Sequence, residues 1–167
     1  MPGKILVAYA TRNGSTAEIA QAIGKELTIA GFTVDVAEIK TISTPADYTA
    51  VVIGGPLYMG SIDGAVGKFI TKYREQLQKL PVAAFAVGLA PKNPNPAAIE
   101  ESMGALRKSM GPVTPVASVL FAGKLDPTKM NFIMRKFLEM AKISAGDFRD
   151  WDAIAVWARE LPEMLKL

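Results

Sequence analysis

The feature that most constrains this chain is its regular alternation of short apolar runs with longer amphipathic segments. Lys4–Tyr9 (KILVAY) is a continuous apolar run that ends in the polar, glycine-containing stretch 11–15. Residues 16–30 then carry Ile19, Ala20, Ile23, Leu27 and Ala30 at helical spacing, and Gly31 stops them as a glycine just past a helix end does. Residues 32–38 alternate apolar and polar, the pattern of an outer strand with one drier face. Residues 50–54 (AVVIG), 82–87 (VAAFAV) and 115–122 (PVASVLFA) read as further strands, and 65–80, 97–110 and 150–165 as helices. Continuously apolar strands separated by helices predict an α/β protein with a parallel sheet covered on both faces. Right-handed crossovers then favour a doubly wound open sheet. A closed eight-unit barrel needs roughly 250 residues, and the chain has 167. The pattern reads as a single domain spanning 1–167, with a segment 123–149 between the fifth strand and the last helix.

Composition narrows the chemistry. Half of the residues are apolar, enough for a sizeable core, and there is no Cys and no His. Disulfides, thiolate or imidazole metal sites, Ser/His/Asp triads and cysteine nucleophiles are therefore excluded. Lys and Arg outnumber Asp and Glu by 19 to 16, a net charge of +3. That falls short of the dense basic patches of nucleic-acid binders, so no nucleic-acid partner is expected. The apolar start lacks a small-residue cleavage site, and the stretch 80–91 is shorter than the roughly 20 residues that cross a bilayer. A cytoplasmic location is expected.

In doubly wound sheets, ligands bind beyond the carboxyl ends of the strands, at the switch point of the strand order. Three loops fall there. The first contains Thr11, Arg12, Asn13, Gly14, Ser15 and Thr16, packing three hydroxyls, an amide and a glycine between a buried strand and a helix. These hydroxyls and the N–H groups of the helix start suit a phosphate, which the helix dipole also favours. Ser15-Thr16-Ala17-Glu18 equally fits a capping box, which satisfies the same N–H groups without a ligand. Neither G-x-x-x-x-G-K-[ST] nor G-x-G-x-x-G follows the first strand, so a mononucleotide held without a lysine clamp fits best. The second loop offers Pro56, Leu57, Tyr58, Met59 and Gly60: a flat apolar ligand against Tyr58 and Met59, or a turn in which Tyr58 covers the sheet end. The third, with Gly88, Leu89, Ala90, Pro91, Lys92 and Asn93, is small, mostly apolar and proline-rich, equally a ligand wall or a plain crossover.

Together these residues resemble the flavodoxin family over nearly the whole chain. The resemblance implies five parallel strands in the order 2-1-3-4-5 and an FMN cofactor. Its phosphate would sit in the 11–16 loop and its ring between the second and third loops. Within that family the chain is most similar to the flavodoxin-like menaquinone-dependent protoporphyrinogen oxidases. The likeness rests on Thr11-Arg12-Asn13-Gly14, on Val51-Val52-Ile53-Gly54, and on the chain end, where an insertion after strand five precedes Asp147-Phe148-Arg149-Asp150-Trp151. Where those oxidases carry Tyr before the second-loop glycine, this chain has Met59, with Tyr58 one place earlier; its third loop also lacks an aromatic. The resemblance implies an FMN-dependent redox protein with no catalytic side chain. It would oxidise a small molecule and pass electrons to a quinone, or carry single electrons between partner proteins. Carrier flavodoxins are typically acidic; this basic chain fits the enzyme better, or a partner with an acidic surface. A receiver-type binding module shares the architecture, but it needs acidic residues where this chain has Tyr9-Ala10-Thr11 and Gly54-Gly55.

Within the 123–149 segment, Met130, Ile133, Met134, Phe137, Leu138 and Ala141 fall on one helical stripe. Residues 124–142 hold five cations against two acids. A helix packed over the sheet with a solvated basic face is one reading. The other is a docking surface for a partner protein, a carboxylate-bearing substrate or the periphery of a quinone-bearing membrane. Asp147, Asp150 and Asp152 are read as acids favouring a helix N-terminus rather than as a metal site.

Overall fold

Because the parallel strands are apolar on both faces, each must be covered twice, and the helices divide accordingly. The computed structural model describes residues 3–89 and 95–167. Its long strands are β1 (Lys4–Tyr9), β2 (Thr33–Glu38), β3 (Ala50–Tyr58), β5 (Val82–Gly88) and β6 (Ala117–Ala122); the short β4 (Ser61–Ile62) folds back on β3. The five long strands are parallel in the order β2-β1-β3-β5-β6, the expected 2-1-3-4-5 arrangement once β4 is set aside. β2 lies at the edge, as its alternating pattern requires.

Ile5 and Val7 of β1, Val52 of β3 and Phe85 of β5 pack against Ile19 and Ile23 of α1 (Ser15–Ile29) and Ile154 and Trp157 of α6 (Trp151–Met164). Their neighbours Leu6, Val51, Ile53 and Ala84 face the opposite way. They meet Phe69 and Ile70 of α2 (Gly64–Lys72), Leu77 of α3 (Arg74–Gln78) and Leu106 of α4 (Pro96–Met110). The period-2 alternation of strand side chains thus builds both layers from uninterrupted apolar runs. On the α1 face, Phe85, Phe121 and Trp157 form a triangle of tilted rings with centroids 5.7–6.3 Å apart.

Three details differ from the sequence reading. The 65–80 helix breaks at Tyr73, where the backbone leaves helical values and the hydroxyl donates to the Ser43 carbonyl at 2.8 Å. The loop expected at 55–64 is mostly strand: β3 runs on to Tyr58 and turns through Met59 and Gly60 into β4. Both turn residues have positive φ, as a tight two-residue hairpin turn requires. Finally, the 130–141 stripe does not form one helix on the sheet. After β7 (Lys124–Leu125), the helix α5 spans only Phe132–Met140, capped by the Asn131 side chain, and β8 (Gly146–Asp147) pairs back with β7. Leu138 is its one buried residue.

Close approach of β3 and β5 depends on Gly54, because a Cβ there would overlap the Phe85 ring. Overpacking of this kind costs roughly 1–3 kcal/mol. Gly54→Ala is expected to lower stability by that amount in urea unfolding. Adding Phe85→Leu should cost less than the sum of the two single losses, since the smaller side chain relieves the overlap.

Candidate functional site

A parallel sheet presents its C-terminal strand ends together, and the order reverses between β1 and β3. A cleft of about 690 Å³ opens there, within the roughly 300–1,000 Å³ typical of small-molecule sites. The first loop contributes Arg12, Asn13, Ser15 and Thr16; the end of β3 and its turn contribute Pro56, Leu57, Tyr58 and Met59; β5 contributes Gly88 and then Leu89. Thr11, Gly14 and Gly60 flank this lining. Ala90, Pro91, Lys92 and Asn93 lie outside the described residues.

The start of α1 decides what the first loop can do. Gly14 occupies the N-cap position in the left-handed region (φ 91°), and no side chain caps the helix. The capping box does not form: with Gly14 at the N-cap, Ser15 and Glu18 fall one position too far into the helix, and the Glu18 carboxylate pairs with Arg149. The Thr11 hydroxyl accepts a hydrogen bond from the Gly14 N–H at 3.0 Å. Thr16 is only 1% exposed, and its hydroxyl has no hydrogen-bond partner although it belongs to the cleft wall. Buried hydroxyls are normally paired. Free helix N–H groups, a glycine at the turn and an unpaired buried hydroxyl form a donor set suited to a phosphate.

Arg12 does not point its charge at a ligand. Its Nε donates to Asp63 at 3.1 Å, and its guanidinium lies 4.1 Å from the centre of the Tyr58 ring. Asp63 also caps α2, accepting from the Ala65 N–H at 2.9 Å. Arg12 therefore ties the first loop to the second and covers one face of Tyr58. The Asn13 side-chain amide, oriented to donate, reaches the Lys129 carbonyl at 3.0 Å.

The sequence offered the remaining wall only as a docking surface, not as part of the cleft. It comes from the 123–149 segment: Lys124, Lys129 and Asn131, with Met130, Met134 and Phe137 beside them. The stripe around Met134 and Phe137 was the available signal, but its placement across the cleft was not. The segment is fastened by Arg149, whose side chain is 5% exposed. Arg149 pairs with Asp147 at 2.6 Å and with Glu18 of α1, and stacks 4.6 Å from the Trp151 ring centre. Asp150 caps α6, accepting from the Ala153 N–H at 3.0 Å. These acids thus serve a helix start and an ion pair.

An open doubly wound sheet with an uncapped, hydroxyl-rich helix start at its switch point defines a mononucleotide-binding α/β protein. A model of the flavodoxin domain matches residues 6–152, and the chain belongs to the flavodoxin family, redox proteins whose cofactor is FMN. It is similar to the protoporphyrinogen IX dehydrogenase [quinone] of Escherichia coli K12, at 28% identity over 96% of both chains. Among solved structures, it resembles a flavodoxin from the domain Archaea (TM-score 0.56, 18% identity, 98% of this chain and 99% of that one). It also resembles the rubredoxin oxygen:oxidoreductase of Desulfovibrio gigas (TM-score 0.59, 18% identity, 98% of this chain); the chain spans 36% of that protein's length. Both structural likenesses bear on the fold.

The Arg149 pairing holds the Asp147 carboxyl down at about 2, against an ordinary value of 3.8. A carboxylate with a depressed folded pKa stabilises the fold above its unfolded pKa, and that contribution fades as pH falls from about 4 towards 2. Asp147→Asn should therefore lower stability modestly at pH 6. The difference from wild type should shrink steeply as pH falls from about 4 to about 2 and vanish only below about pH 2 in urea titrations. A pH-independent difference would show that the ion pair does not hold the segment.

Proposed function

We propose that this chain is a single flavodoxin-like domain that binds FMN in the cleft and oxidises a porphyrinogen-like small molecule, with a quinone as acceptor. The observation that carries the cofactor site is the unpaired, buried Thr16 hydroxyl at the uncapped start of α1. In this reading Ser15, Thr16 and the first N–H groups of α1 hold the phosphate. Leu57, Tyr58 and Met59 border the ring on one side, and Gly88 and Leu89, at the start of the third loop, border it on the other. Bound FMN supplies the electron and hydride transfer that no side chain of this chain can perform. The protein's part is to position the flavin, exclude water with the apolar wall of Met130, Met134 and Phe137, and admit the substrate.

Three observations favour the enzyme over the carrier. The E. coli relative matches end to end. The 123–149 segment, read as an insertion, contributes one wall of the cleft. The net charge is +3, whereas an acidic surface would be expected of a carrier. Among the described residues no helix is long and apolar enough to cross a membrane. On α5, however, Ile133 and Met140 are 75% and 82% exposed, beside Arg135 and Lys136. An exposed apolar face next to cations supports peripheral contact with an anionic membrane, where a lipophilic quinone would be met.

Thr16→Val removes an unsatisfied buried hydroxyl, whose burial costs about 1–3 kcal/mol. The variant is expected to unfold at higher urea than wild type without cofactor, yet to bind FMN about tenfold more weakly, the loss of one or two hydrogen bonds. Equal FMN affinity would place the phosphate elsewhere. Purified, FMN-loaded protein should consume protoporphyrinogen only when a quinone is supplied, and faster with quinone in anionic than in neutral vesicles. Rapid exchange of electrons with protein partners and none with porphyrinogen would favour the carrier instead.

A further inference from the structure

The donors at the start of α1 are all uncharged, yet a phosphate monoester carries close to two negative charges at neutral pH. A cation beside them would add attraction beyond that of the N–H groups and the helix dipole, and the cations on the cleft wall among the described residues are Arg12, Lys124 and Lys129. The Arg12 charge is already engaged by Asp63. Lys124 and Lys129 form no direct ion pair among the described residues, although both lie close enough to the Asp126 carboxylate to help lower its pKa. Lys129 is the one beside the loop: its Nζ lies 3.9 Å from the position that a Cβ on Gly14 would occupy. Its backbone is held there as well, since the Lys129 carbonyl takes the Asn13 amide and its N–H donates to the Asp126 carbonyl at 3.1 Å. The nearest acid on the helix side, Glu18 in the first turn of α1, is paired with Arg149 and so does not oppose an incoming anion.

We infer that Lys129 supplies the positive charge for the terminal phosphate of the flavin nucleotide. The inference rests on the FMN reading above and deepens it. The 123–149 segment is then part of the cofactor site as well as its wall. It contributes, from far along the chain, the ammonium group that the first loop lacks. Discrimination between FMN and riboflavin follows from it: both present the same ring to the cleft, and only FMN presents a dianion to Lys129. Because one end of this contact lies in the segment and the other on α1, a bound phosphate also strengthens the tie between the segment and the helix start.

Flavin titrations of wild type, Lys129→Met and Lys129→Arg, followed by fluorescence at low and high salt, test this. Lys129→Met is expected to weaken FMN about tenfold or more at low salt, as loss of a charge-assisted hydrogen bond does. Riboflavin affinity should be essentially unchanged, which also shows that the variant is folded. Lys129→Arg should keep most of the FMN affinity. Wild-type FMN binding should weaken with salt more steeply than that of Lys129→Met. FMN should shield the segment from limited proteolysis in wild type, and riboflavin should not. Unchanged FMN affinity in Lys129→Met, or equal losses for both flavins, overturns the role of Lys129 and leaves the cofactor reading standing. Failure of the wild-type protein to bind either flavin overturns both.

Discussion

Two-sided burial of the parallel sheet is the constraint on which the rest of this structure depends. Strands whose alternate side chains all go into apolar layers leave no room within the sheet for charged or catalytic groups. Polar chemistry is displaced to the strand ends, and the reversal of order between β1 and β3 opens the crevice where it collects. The same burial explains why Gly54 faces the Phe85 ring at the centre of the sheet. Packing at native density leaves no slack there.

At the mouth of that crevice the fold keeps a cost that a simpler sequence would have removed. A helix start is ordinarily capped by its own side chains, and Ser15-Thr16-Ala17-Glu18 has the composition to do so. Instead Gly14 takes the cap position without a side chain, Thr16 buries an unpaired hydroxyl, and Glu18 turns to Arg149. Unsatisfied groups of this kind are stabilised once a ligand arrives, so the free protein gives up some stability for the bound one. Diverting Glu18 has a second effect, because a carboxylate within the cap would repel the anion that the helix dipole attracts.

The 123–149 segment is held differently from the rest. Of the nine residues of α5 only Leu138 is buried. Polar contacts close it on itself (the β7–β8 pair, the Phe148 N–H on the Gly123 carbonyl at 3.1 Å and the Arg149–Asp147 ion pair) and tie it to the first loop and α1 (the Asn13 contact with Lys129 and the Arg149–Glu18 ion pair). The Arg149 ion pairs among them respond to pH and salt, as hydrophobic layers do not. The wall of the cleft can thus adjust to conditions and to ligands while the sheet beneath stays unchanged.

The sequence by itself determined the architecture. Runs such as KILVAY and VAAFAV, separated by segments of helical period, admit little other than a covered parallel sheet, because hydrophobic periodicity is a local property of the chain. It also marked the first loop, whose hydroxyls and glycine sit between a strand and a helix. Tertiary structure alone decided whether that loop is capped or left open. Gly14 takes the cap position, and Glu18, one place too far along the helix for the box, pairs with an arginine 131 positions away that no spacing rule connects to it. Likewise, only the fold could bring Lys129 beside Gly14, pair Arg12 with Asp63 over Tyr58, and turn the 130–141 stripe away from the sheet. Each of these is a contact between charged or exposed groups far apart in the chain. Their geometry follows from where the layers place the strand ends, not from any local pattern.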